Sequence, residues 1–177
     1  MNLFLWGALP YIAFTFLIVG TLVRFFYFER NWTTKSSEFL EKKQLRIANP
    51  LFHFGLLCVI GGHVVGVLVP KTWTAAMGIN DHMYHEGALY MGAVAGIIFI
   101  VGFLLLMKRR FTVPAMKVNT SGFDKWLYLF LTLAIFSGMA GTLLNASGFF
   151  DYRVSIGPWF RSLLSFMPDP SLMEGVP

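Results

Sequence analysis

Four stretches of this chain each run for roughly 20 residues almost without charge, the length an α-helix needs to cross a hydrocarbon core. The charged residues are gathered between them. A soluble domain carries about a quarter of its residues as Asp, Glu, Lys or Arg; here the share is 13%, against 56% hydrophobic. Apolar blocks of this length read as membrane-spanning helices. The expectation is an all-α membrane protein, a bundle of four transmembrane helices plus a C-terminal interfacial segment, in a single membrane domain over residues 1–177. No Gly/Ser or Pro-rich linker divides it, and no internal repeat is visible.

Span one is expected over about residues 3–23, with Pro10 accommodated at the cost of a bend and Arg24 closing it. No basic residue precedes it and no small-residue cleavage site follows, so it reads as a span and not as a signal peptide. The segment from Arg24 to Asn49 is a polar loop, partly helical at most. Span two is expected over 50–69, with Asn49 as cap, Pro50 at the first helical position and Pro70 as stop. Span three follows over 84–107, with Asn80 or Asp81 as cap and Lys108, Arg109 and Arg110 at its end. Ser121 and Asp124 have the spacing of a capping box for span four, over 124–145, and Trp126 and Tyr128 suit its interfacial end. Residues 146–177 are too polar for a fifth crossing. Within them Trp159, Phe160, Leu163, Leu164 and Phe166 make a short apolar face around Arg161, the pattern of a helix lying in the interface.

The first loop carries six Lys or Arg and the segment Lys108 to Lys125 carries five, whereas the loop between spans two and three carries only Lys71. The positive-inside rule puts the two basic loops in the cytoplasm and both ends of the chain outside. The net charge of +5 is accounted for by those loops and membrane lipid, with no nucleic acid partner. The single cysteine, Cys58, excludes a disulfide scaffold and reads as a small hydrophobe.

Two histidines, His53 and His63, lie inside span two. Ionisable side chains within a span are costly and mark function by default, and neutral imidazole is a common ligand of metals, haem iron included. Ten residues of helix put the rings about 15 Å apart along the axis and roughly 80° apart around it. Each can hold its own metal at its own depth; they cannot share one. The alternative is a pair of imidazoles satisfied by hydrogen bonds between helices. Gly55, Gly61, Gly62 and Gly66 strip side chains from the same helix, as a flat macrocycle against the backbone would require, or as close helix packing would. His82 and His85 could reach a common metal, though solvated residues at a helix start explain them as well. Lys108, Arg109 and Arg110 could pair with haem propionates, but the topology signal already accounts for them.

Beyond these features, the chain resembles the gamma subunit family of bacterial respiratory nitrate reductase, membrane cytochromes b, over nearly its whole length. The resemblance is carried by Lys35-Ser36-Ser37-Glu38 and Leu40-Glu41-Lys42-Lys43, by Leu51-Phe52-His53 and Gly61-Gly62-His63, by Lys108-Arg109-Arg110, and by Gly157-Pro158-Trp159-Phe160-Arg161. It implies five spans in the family and two haem b groups, with His53 a ligand of the inner haem iron and His63 of the outer. Second iron ligands are implied in a fifth helix. It further implies oxidation of menaquinol or ubiquinol near the outer haem, with Gly62, His63, His85 and Glu86 as quinol-site candidates. Partner subunits on the cytoplasmic side would carry iron–sulfur clusters and molybdenum, in the bacterial cytoplasmic membrane. Where the family typically has a lysine at the quinol pocket this sequence has Glu86, which reverses the charge offered to the head group. The sequence stops at Pro177, where the family continues into its fifth helix, and the expectation is a truncated product lacking the second iron ligands.

The leading expectation is thus a haem b electron-transfer subunit of a quinol:nitrate oxidoreductase, with nitrate reduction itself in a partner subunit. The competing one is a haem-free membrane anchor for soluble subunits. A transporter is a third, disfavoured by the lack of an inverted repeat.

Overall fold

The computed structural model describes residues 2–28, 40–149, 151–174 and 176. Features expected of the first loop at Glu29, Arg30 and the Lys35-Ser36-Ser37-Glu38 run lie outside the described residues. Among the described residues the secondary structure is helical and contains no strand. Four helices, Phe4–Tyr27, Lys43–Leu68, Asp81–Thr112 and Gly122–Ala146, are long and apolar enough to cross a membrane. Large apolar side chains point outward along them: Phe54, Leu57, Phe130 and Phe136 are all more than half exposed. In water that would be an aggregating surface; on a membrane helix it is the face that meets lipid. The chain is an all-α, multi-pass membrane protein.

The described residues fall into two compact units, Met1–Ser36 with Tyr152–Pro177, and Ser37–Asp151. In the first, the chain opens as a π-helical turn, Phe4–Ala8, and continues as α1, Leu9–Tyr27. Pro10 accounts for the wide turn, because its ring crowds the carbonyl four residues back and it has no N–H to offer. That carbonyl belongs to Trp6, and it accepts instead from Trp159 Nε1 at 2.8 Å. The two indoles meet edge to face with centroids 5.6 Å apart. The bend expected at Pro10 therefore takes the form of a π turn closed by a residue from the tail. The tyrosine hydroxyl of Tyr11 donates to the Leu163 carbonyl at 2.8 Å, and its ring stacks on Phe166, whose φ of 58° costs a non-glycine residue about 1–2 kcal/mol. Nine residues long, the tail helix Ile156–Leu164 spans only about 14 Å and cannot cross a bilayer; it presents Trp159 to the π turn and Phe160 and the Leu163 carbonyl to α1.

The second unit contains α2 (Lys43–Leu68), α3 (Lys71–Ala76), α4 (Asp81–Thr112), α5 (Pro114–Val118) and α6 (Gly122–Ala146); the tail helix is α7. Helix α2 begins at Lys43 and not at Asn49-Pro50, so Asn49 is no cap and Pro50 lies inside the helix. The reason is a carboxylate whose role the spacing does not reveal: Glu41 Oε1 accepts from the Gln44 N–H at 2.8 Å. It satisfies a first-turn donor and lets the helix start before the proline. Helices α2 and α4 cross backbone to backbone. A Cβ added at Gly55 would collide with the main chain of Phe99, and one at Gly102 with that of Phe52. The Phe52 ring packs on Phe99 and Phe103 at the same level.

Capping sets the ends of α4 and α6 as expected. The Asn80 side chain accepts from Met83 N–H at 2.8 Å, while Ser121 and Asp124 form the reciprocal capping box. Helix α6 meets α4 at its first turns, through Tyr128 against Phe103 and Phe111 and an Arg110–Asp124 ion pair. It ends at Ala146, and Gly148, at φ 75°, supplies the left-handed residue just beyond its end.

Candidate haem-ligating site

Both imidazoles of the second span sit on α2, each pinned by its own helix. His53 Nδ1 is 2.9 Å from the Asn49 carbonyl oxygen, and His63 Nδ1 is 2.7 Å from that of Val59. A carbonyl oxygen only accepts, so each Nδ1 carries a hydrogen and donates it. A neutral ring so held keeps the lone pair of Nε2 for another partner. Metal-bound histidines commonly show this arrangement, with one ring nitrogen donating to a backbone carbonyl and the other on the metal. Both side chains are exposed. An imidazole open to lipid is a costly arrangement that a covering ligand would relieve. The donor chemistry of each ring therefore fits a ligand to iron.

The glycines divide into two sets. Gly55 serves the crossing with α4, since the place of its Cβ is filled by Phe99, the close-packing alternative for this glycine. Gly66 is buried as well. Gly61 and Gly62, next to His63, have open space where a Cβ would stand, and that face can admit a flat ligand.

At the other end of α2 the basic triplet is spent on structure. Arg109, whose side chain is 4% exposed, donates from Nε to Glu41 Oε2 at 2.8 Å and from Nη2 to the Glu41 carbonyl at 2.7 Å. Arg110 pairs with Asp124. Lys108 lines a small groove with Gln44, Ile47 and Leu105. The Gln44 N–H, together with Arg109, holds the Glu41 carboxyl below the usual carboxylate range, against the desolvation that pushes the other way.

On the opposite side, at the start of α4, His82 Nε2 lies 3.7 Å from Glu86 Oε1, both well exposed, and His85 is half-buried. Among the described residues no three His, Cys, Asp or Glu side chains converge as a metal site. Lys71 links the nearby loops by a 2.7 Å bond to Asp151 and a 3.6 Å contact with Asp81. A cleft of about 420 Å³ lies elsewhere, between α1 and α7. Its lining is apolar, and Tyr11 within it has already given its hydroxyl hydrogen to Leu163, so it offers hydrocarbon contact and no reactive group.

Comparison with known proteins bears on this arrangement. The family model described as nitrate reductase gamma subunit matches residues 2–177. The nitrate reductase gamma chain of Bacillus subtilis is 47% identical over 174 residues, covering 98% of this chain and 78% of the relative. The respiratory nitrate reductase 1 gamma chain of Escherichia coli is 31% identical over 143 residues, 81% of this chain and 62% of the relative. A nitrate reductase-like protein, NarX, of Mycobacterium tuberculosis is 39% identical over 175 residues, 97% of this chain but only 27% of its own length.

Proposed function

This chain belongs to the nitrate reductase gamma subunit family, and from that premise we propose that it is the membrane subunit through which a respiratory nitrate reductase draws electrons from quinol. The observation that carries the reading is the pair of pinned imidazoles, open on a membrane helix at two depths. Under it, His53 would hold the iron of an inner haem b and His63 that of an outer one. When bound, these groups supply a one-electron carrier at each depth.

The chain's own residues do the rest. The Asn49 and Val59 carbonyls hold the rings in one tautomer and raise their basicity as ligands. Gly61 and Gly62 leave room beside His63, and Gly66 lies one turn further along the same helix. Menaquinol or ubiquinol docks among Gly62, His63, His85 and Glu86. Oxidation of a quinol releases two protons, and the Glu86 carboxylate with the His85 and His82 rings accepts them toward the outer surface. Electrons pass inward to an iron–sulfur subunit and then to a molybdenum subunit, where nitrate is reduced. The chain sits in the bacterial cytoplasmic membrane, with the basic residues around Lys43, Lys108 and Lys117 on the cytoplasmic side and the N-terminus outside.

The test is the dithionite-reduced minus oxidised spectrum of membranes containing the subunit with its partners. A b-type band is expected, falling by about half in His63→Ala. Colourless protein that still retained the soluble subunits would replace this reading with that of a haem-free anchor.

A further inference from the structure

We propose that the Glu41–Arg109 pair is a positioning device for His53, acting across a flexure point at Pro50, and that His63 is independent of it. The inference rests on His53 being a working ligand, as proposed above, but its geometry stands by itself. Pro50 lies inside α2, has no N–H to give the Arg46 carbonyl and crowds it, so the helix is weakest between its first turns and the rest. The carbonyl that orients the His53 ring belongs to Asn49, the residue directly before that proline. Its tilt, and with it the direction of Nε2, follows the angle between the two segments of α2.

Each segment is anchored to α4 separately. Beyond the proline, Gly55 seats on Phe99, and Phe52 fills the hollow at Gly102. Before it, the anchor is Glu41. One carboxylate oxygen takes the Gln44 N–H, the other takes Arg109 Nε, and its carbonyl takes Arg109 Nη2. Arg109 is nearly buried at the end of α4. A rigid α4 pinned on both sides of a weak joint fixes the joint angle. His63 takes its bond from Val59, in uninterrupted helix, where no such dependence exists.

The discriminating experiment is solid-state ¹⁵N NMR of histidine-labelled chain in bilayers, with the His53 and His63 signals assigned from the two single alanine variants. Wild type should show one hydrogen-bonded Nδ1–H form at each site. Glu41→Gln, or Arg109→Lys should the first not accumulate, should convert the His53 signal to a mixture and leave His63 unchanged. Adding Pro50→Ala, which restores the missing N–H, should return His53 to its single form. An unchanged His53 signal, an equal change at both histidines, or no rescue by Pro50→Ala would overturn the proposal. The same variants in haem-loaded membranes should shift the midpoint potential of one b component only. Absence of any haem would sink the functional reading without touching the NMR result.

Discussion

At the scale of single residues, glycine carries two different duties in this chain, and substitutions separate them. Gly55 and Gly102 stand where two backbones touch, so a larger side chain there must force α2 and α4 apart. Gly102→Leu should destabilise the purified protein by about 3 kcal/mol or more, the upper end of overpacking costs, in detergent thermal melts. Gly20→Ala, in open space on α1, should be neutral or stabilising by up to about 1 kcal/mol, the helix preference of alanine over glycine. Glu41 adds a dependence on acidity. Its carboxyl is held below its ordinary value by the Gln44 N–H and Arg109, so its contribution is complete above that ordinary value, 4.5, and fades as the pH falls through the lowered one. The stability difference between wild type and Glu41→Gln should accordingly be constant near neutrality and vanish in acid; a difference that grew on acidification would contradict the assignment. None of this could be read from the local sequence, where Glu41 is one charge among many in a basic loop and Arg109 one of three topology markers. What makes them a pair is a contact between residues 68 positions apart.

At the scale of elements, the signals that the sequence displays are those written in neighbouring residues. The Asn80 cap and the Ser121–Asp124 box stand where their spacing puts them, because capping is a bond across three residues. Ser121→Ala should therefore cost α6 about 1 kcal/mol, seen as an earlier onset in thermal unfolding followed by Tyr128 fluorescence. The start of α2 departs from the local pattern for the complementary reason. Asn49-Pro50 has the local grammar of a helix beginning, but two turns upstream Glu41 already accepts a first-turn N–H, that of Gln44. Likewise Pro10 signals a disturbance in the first span, yet its resolution needs Trp159, from the far end of the chain, to accept the role of donor to Trp6. Trp159→Phe keeps the ring packing and removes the donor, and should cost about 1 kcal/mol for the partly buried carbonyl it leaves without a partner.

At the scale of the whole molecule, the membrane class was plain from charge segregation alone, since lipid allows so few alternatives to a helix of this length. The two histidines were legible as candidates for the same reason: hydrocarbon makes every polar side chain conspicuous. Their pinning through Asn49 and Val59 was not, because only side-chain rotamers reveal it. Orientation is tested by reagents that do not cross membranes. A cysteine placed at Lys117 should be protected in intact cells and one at Trp73 labelled, with the reverse pattern excluding the assigned sidedness. The central claim, that two imidazoles on one helix each hold a haem iron, is met most directly by counting haem per subunit in purified complex with the pyridine haemochrome assay. The account predicts two in wild type, one in His53→Ala and in His63→Ala, and none in the double variant; wild-type complex free of haem, or single variants retaining both, would contradict it.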